Sequence, residues 1–247
     1  MATKLYGMSL SHPSQAARAM LKYKGIEHEL VSLQAGSQPI TLRLAGFRGR
    51  TVPALALDGR KVQGSLAISR ALEELKPDPP LFPADRRAAV EEAEAWGERE
   101  LQPLPRRMFR WAVAYQPRFR RWFVTEAART PLPAAVASAL AMPAGRYFAY
   151  LSRASDDYTR EGVAAMPAAL DHVDELIAQG VIGRPDEPNA ADFQIASTIA
   201  VLRGFADLRG EMEGRPGTEL SLRLFPRRGV ETPPFLLQEW LQPLRSK

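Results

Sequence analysis

Hydrophobic positions fall into short runs over roughly the first third of the chain and into helically spaced stripes after that. Leu5, Tyr6, Met8 and Leu10 mark residues 4–10 as a buried strand that ends in polar and proline punctuation. Ala16, Ala17, Ala19, Met20 and Leu21 then share one face of a helix over 13–23, closed by Lys24-Gly25. Residues 26–33 read as a second strand, a spacing that suits a parallel crossover. A polar loop over 34–47 holds one short helix around 40–44. Residues 54–57 form a third strand, and Asp58-Gly59 is the strongest hairpin signal in the chain, with 61–63 returning antiparallel. Gly64-Ser65 opens a helix over 66–75 with Leu66, Ile68, Leu72 and Leu75 on its inner side. The predicted order is β-α-β-α-β-β-α.

Residues 76–85 hold four prolines, too many for a helix or a sheet ladder, and read as a stiff boundary. The pattern beyond is helical. Residues 86–101 are charged and alanine-rich, and Pro103 and Pro105 interrupt or bend that helix. Met108, Trp111, Ala112, Tyr115, Phe119 and Trp122 line one helical face over 106–124, with a kink expected at Pro117. Further helices are expected over 134–140 and 146–179, the second interrupted at Gly162 and Pro167. Asn189 is a good N-cap for a buried helix over 193–205, and Asp192 is spaced to reach back to it. The last forty residues read as irregular, ending in an amphipathic piece over 235–244.

Composition narrows the chemistry. The 247 residues contain no cysteine, which excludes disulfides, thiolate metal sites and cysteine nucleophiles. His12, His28 and His172 are too far apart in sequence to suggest a metal cluster. No apolar run reaches the roughly 18 to 20 residues that span a bilayer, and the N-terminus lacks the order of a signal peptide, so no membrane partner and a cytoplasmic address are expected. The net charge is +5, and six of the 33 basic residues are lysine, so arginine supplies most of the positive charge. Residues 106–123 interleave arginines with aromatics, a pattern seen where single-stranded nucleic acid binds. Here the aromatics follow a helical stripe and Arg106, Arg107, Arg110, Arg118 and Arg121 fall mostly off it. A buried stripe with a solvated basic face is the plainer reading, an anionic small substrate fits better than nucleic acid, and no nucleic-acid partner is expected.

Ser11-His12-Pro13 stands where the first strand passes into the first helix. A hydroxyl there faces free backbone N–H groups and the positive end of the helix dipole, which can hold an anion. It can equally be a simple cap.

These pieces, in this order, resemble the cytosolic glutathione S-transferase family over most of the chain. In that family a loop after the first strand carries the thiol-activating residue, and one large group uses a serine two residues before a proline, as in Ser11-His12-Pro13. Val52-Pro53-Ala54-Leu55 matches the family's cis-proline approach to the third strand. Ser65-Leu66-Ala67-Ile68 matches its Ser-x-Ala-Ile helix start, and Asn189 to Asp192 is a variant of its capping box. The resemblance implies a thioredoxin-like α/β domain over 1–77 and an all-α domain over 86–247. It also implies glutathione as co-substrate, a small-molecule electrophile as second substrate, and a homodimer. Ser11 would donate to the sulfur and favour the thiolate; lowering a thiol pKa by two units corresponds to about 2.7 kcal/mol. The Val52 main chain beside Pro53 would pair with the cysteinyl part of the ligand as an added strand does. Ser65 at its helix start suits the γ-glutamyl carboxylate.

Two departures from the family pattern stand out. Gly64 replaces the usual Glu, Gln or Asp before the serine, with Gln63 one place early. Arg48-Gly49-Arg50-Thr51 replaces the usual approach to Pro53, leaving Arg50 and Thr51 to meet the glycyl end. Another low-molecular-weight thiol, a non-catalytic binding or scaffold role, and a thiol-dependent isomerisation or ether cleavage therefore stay open. Tyr6 is the alternative thiol activator, one residue early and on the opposite strand face, and Ser9 lies further from the helix. His12 either lines the mouth of the site or is an exposed helix-start residue. The family's disulfide-reducing members use cysteine at position 11, so that activity is excluded.

Overall fold

A computed structural model of the chain describes residues 3–34, 36–226 and 231–245. The outermost positions of the two expected domains, 1–2 and 246–247, and part of the last forty residues, 227–230, lie outside the described residues. The chain begins β1 (Lys4–Gly7), α1 (His12–Tyr23), β2 (Glu29–Ser32), α2 (Gln38–Leu44), β3 (Ala54–Leu57), β4 (Arg60–Gln63) and α3 (Ser65–Leu75). The sheet order is β2-β1-β3-β4, with β1 parallel to β2 and antiparallel to β3, and β4 antiparallel to β3. Leu5, Leu55 and Leu57 face α1 and α3, meeting Ala17, Met20, Ile68 and Leu72. The opposite face, with Tyr6 and Ala54, packs against Leu42 of α2 and Phe47. This is a thioredoxin-like unit: a mixed four-stranded sheet between helices.

The strands at its start are shorter than the apolar runs suggest. β1 stops at Gly7, whose carbonyl accepts from Leu33 N at 2.8 Å, and residues 8–10 turn the chain into α1 through Ser11 N to Met8 O at 3.1 Å. Asp58 (φ 46°) and Gly59 (φ 83°) form the hairpin turn with both residues left-handed. The proline-rich segment after α3 is fastened by a fully buried Lys24. Its ammonium donates to Glu73 and to the carbonyls of Lys76, Pro77 and Pro79, while Glu73 accepts from Leu81 N at 2.9 Å.

The remainder is helical: α4 (Arg87–Trp96), a π-helical turn over Gly97–Leu101, α5 (Pro103–Tyr115), α6 (Pro117–Trp122), a second π-helical turn over Phe123–Ala127 and α7 (Ala134–Leu151). Next come α8 (Asp156–Ala178), α9 (Ala190–Leu202), a 3-10 turn over Ala206–Leu208, α10 (Arg209–Met212), α11 (Pro216–Leu224) and α12 (Gln238–Arg245). Every residue of α9 except Val201 is buried, so it is the axis of the helical layer. Asn189 and Asp192 form the reciprocal capping box at its start. α1 packs along α9, and one continuous apolar core runs from Leu5 through both parts to Leu244.

The interruption expected at Pro103 and Pro105 is present, and two other helix expectations are corrected. Pro103 and Pro105 have no N–H to donate, and the chain meets them with the π-helical turn, in which Gln102 N reaches back to Gly97 O at 2.9 Å. The helix expected over 134–140 runs on to Leu151 through Pro143, because Gly145 lets α5 approach closely: a Cβ there would lie 3.1 Å from Val113 Cγ1. The break expected at Gly162 and Pro167 falls instead at 152–155, and α8 runs unbroken through both. Tertiary packing outweighs the local propensity at Pro143, Gly162 and Pro167. Among the described residues no helix is long and apolar enough to cross a membrane.

Candidate functional site

Strand direction brings the motif residues together. β1 runs antiparallel to β3, and Tyr6 pairs with Ala54, so the end of β1 and the start of β3 share one end of the sheet. β4 ends there too, since Ala54 pairs with Gln63. The Val52-Pro53 peptide, which is cis, lies at this end, and Pro53 O accepts from Gly64 N at 2.9 Å. That bond joins the approach to β3 to the start of α3.

Ser11 caps α1. Its Oγ accepts from Ser14 N at 3.4 Å and from the Ser14 hydroxyl at 3.0 Å, and Ser14 Oγ in turn accepts from Met8 N at 3.4 Å. A hydroxyl has one proton and two lone pairs. Both hydrogen bonds of Ser11 Oγ run to Ser14, at the start of α1.

At the start of α3, Ser65 is 1% exposed and its Oγ has no hydrogen-bond partner. A buried hydroxyl without a partner costs stability unless a ligand completes it, and the first N–H groups of α3 have no partner within the helix. The position suits a carboxylate. Gly64 before it takes φ 93° and ψ 147°, a region essentially reserved for glycine. An acidic side chain here would be strained, so the glycine follows from the backbone.

Gln63 has a different task. Its Oε1 accepts from Gly49 N at 2.9 Å and its Nε2 donates to Thr51 O at 2.7 Å, bracing the exposed loop that carries Arg50 and Thr51.

His12 is corrected on both expectations. It neither lines a mouth nor faces solvent: it is 7% exposed, and its Nδ1 lies 2.9 Å from Thr198 Oγ1 on α9. The Thr198 hydroxyl also lies 3.2 Å from Gln194 O, which ties the pair into α9. Burial, helped by the charges of Arg106 and Arg110, pushes the imidazole down to about 3. His12 is a neutral strut between the sheet unit and the helical layer. Tyr6 packs edge-on against Phe47 at 5.3 Å, on the sheet face that α2 covers, and Ser9 is exposed. Among the described residues no cluster of three His, Asp or Glu could hold a metal.

Residues 5–80 match the family model described as the glutathione S-transferase N-terminal domain. The N-terminal unit matches that family's model, and the whole chain has the fold of solved glutathione S-transferases. A glutathione S-transferase from Rhodospirillum rubrum aligns over 98% of this chain and 99% of its own, with a TM-score of 0.55 at 19% identity. A rice glutathione S-transferase in complex with glutathione aligns over 94% of this chain and 91% of its own, with a TM-score of 0.57 at 17% identity. In sequence, the chain is 38% identical over 92 residues to maleylacetoacetate isomerase of Mus musculus, covering 35% of this chain and 43% of that relative. The match thus spans less than half the length of the curated relative.

Within this glutathione S-transferase fold, three residues escaped the sequence pattern. Ser14 carries no signal beyond a helical serine one turn from Ser11. Gln63 reads as a displaced ligand residue until its loop contacts are seen. Arg120 is 7% exposed and donates to the carbonyls of Val113, Ala114 and Ser138, closing the end of α5 onto α7.

Proposed function

We propose that this protein binds glutathione across the end of the sheet and activates its thiol at Ser11 for addition to an electrophilic small molecule. The observation that carries the reading is the pairing of Ser11 at the N-cap of α1 with a buried Ser65 hydroxyl that has no partner at the start of α3. A donor aimed at sulfur, with the helix start behind it, stabilises the thiolate over the thiol. The buried Ser65 hydroxyl meets the γ-glutamyl carboxylate, the Val52 main chain pairs with the cysteinyl unit, and Arg50 and Thr51 face the glycyl end. The protein works in the cytoplasm as a homodimer on this reading, which a solution molecular mass of twice the chain supports and a monomeric mass contradicts.

Thiol-dependent isomerisation is the second reading, favoured by the match to a relative named maleylacetoacetate isomerase. It uses the same thiolate but consumes none of it. Ser11→Ala tests both readings. Turnover should fall roughly tenfold or more with the fold intact by circular dichroism. An unchanged rate removes Ser11 from the reaction.

A further inference from the structure

Helix α7 is apolar on both of its sides and covered on one. The inner side is fastened to the helical layer: Gly145 admits Val113, and Arg120 donates to Ser138 O at 3.1 Å. The outer side carries Val136, Leu140, Pro143, Tyr147, Tyr150 and Leu151, and its remaining exposed positions are alanine apart from Arg146. Spacings of three and four residues keep these side chains on one continuous face. They are not grazing exposures, since Tyr150 is 81% and Leu140 66% exposed. Among the described residues α7 has five exposed large hydrophobic side chains, and the next richest helix, α2, has two, Ile40 and Leu44. A helix that is apolar all round is ordinarily covered all round, and an exposed apolar face of this extent marks an interaction surface.

The charges around this face select what covers it. Between Glu126 and Asp156 the chain has no acidic residue and three arginines, Arg129, Arg146 and Arg153. One precedes α7, one lies on it and one follows it. All three are exposed, and none makes an ion pair among the described residues. The acids that follow are engaged elsewhere: Asp156 accepts from Trp111 Nε1 at 2.7 Å, and Asp157 pairs with Arg160 at 3.0 Å. A second copy packed face to face would set these arginines against their own counterparts with no carboxylate between them. A protein interface also needs polar groups that pair across it, and this face offers only tyrosine hydroxyls and arginine. An anionic bilayer surface meets both conditions. Acyl chains accept the leucines and valine, tyrosine sits at headgroup level, and guanidinium groups pair with lipid phosphates. The 18 residues of α7 make a rod about 27 Å long that lies along such a surface.

We propose that the outer face of α7 docks this protein onto an anionic phospholipid surface, with Leu140, Tyr147, Tyr150 and Leu151 entering the headgroup layer and Arg129, Arg146 and Arg153 meeting lipid phosphates. The expectation of no membrane partner came from the lack of a spanning run, and a helix that lies on a bilayer needs none. The docking is independent of the thiol-activating reading.

Flotation of the full chain with vesicles tests it, comparing phosphatidylcholine alone with an equal mixture of phosphatidylcholine and phosphatidylglycerol. The protein should float with the mixed vesicles at least tenfold more strongly than with the neutral ones, and the difference should shrink as salt rises. A chain of net charge +5 can adhere to anionic vesicles through charge alone, and the apolar substitutions separate that from docking by α7. Leu140→Ser and Tyr150→Ser, at exposed positions, should each weaken binding roughly tenfold, and Arg146→Gln roughly fivefold. Leu44→Ser, an exposed leucine on α2, should leave it unchanged. Absence of flotation with the mixed vesicles overturns the proposal, as does equal flotation with both kinds or binding that survives Leu140→Ser and Tyr150→Ser together. A vesicle-free molecular mass that falls in that double variant also overturns it, because a second copy then covers the face.

Discussion

Replacing His12 by glutamine removes a titration that the folded protein suppresses. In the native state the ring is neutral, with its imidazole pushed down to about 3 chiefly by burial. In the unfolded chain it titrates near about 6.5. Between those values the unfolded state binds a proton the native state refuses, so the stability this group contributes is complete above about pH 6.5 and declines as pH falls towards 3. Each pH unit in that window is worth about 1.4 kcal/mol, so lowering the pH from about 7.5 to about 4.5 costs about 2.7 kcal/mol through His12. Glu94 and Asp192 act in the opposite sense. Burial raises them to about 7 and about 6, so they favour the native state as pH falls. The wild-type profile alone therefore hides the effect, and the difference between wild type and His12→Gln isolates it. Urea unfolding followed by tryptophan fluorescence at the two pH values measures it. The wild type should lose about 2 to 3 kcal/mol more than the variant on acidification. Equal losses in the two proteins would refute a buried neutral His12.

Two further substitutions probe contacts absent from the sequence pattern. Ser14→Ala removes the hydroxyl 3.0 Å from Ser11 Oγ, and the apparent pKa in the kcat/KM profile of thiol addition should rise by about half a unit to one unit; an unmoved profile would leave Ser14 a packing residue only. Lys24→Met strips Glu73 and three carbonyls of their shared donor, and should destabilise the protein by about 3 to 5 kcal/mol in urea unfolding. A change below 1 kcal/mol, on the order of an exposed surface pair, would contradict that network.

The N-terminal elements were legible because each is short and punctuated by residues with a specific backbone role. Asp58-Gly59 takes the two left-handed conformations its hairpin needs, and Gly25 (φ 59°) closes α1. The capping box of Asn189 and Asp192 was legible for the same reason, since its partners are three residues apart. What stayed hidden depends on partners distant in sequence. His12 is buried because Thr198 sits opposite it, 186 residues away, and Lys24 because the proline segment folds back over it. Pro143 and Pro167 are helix-breaking signals that packing overrules, and α11 lay within a stretch that carried no clear period. The site shows the same division. Ser11, Val52, Pro53 and Ser65 could be picked out by motif, whereas Ser14 and the brace made by Gln63 needed coordinates.

Thiolate formation on the bound ligand tests the central claim most directly. Ultraviolet absorbance of the thiolate, followed against pH with glutathione saturating the protein, reads the pKa of the bound thiol. Activation at Ser11 predicts a value about two units below the free thiol's, largely restored to the free value in Ser11→Ala. A bound thiol that titrates as it does in free solution would contradict it.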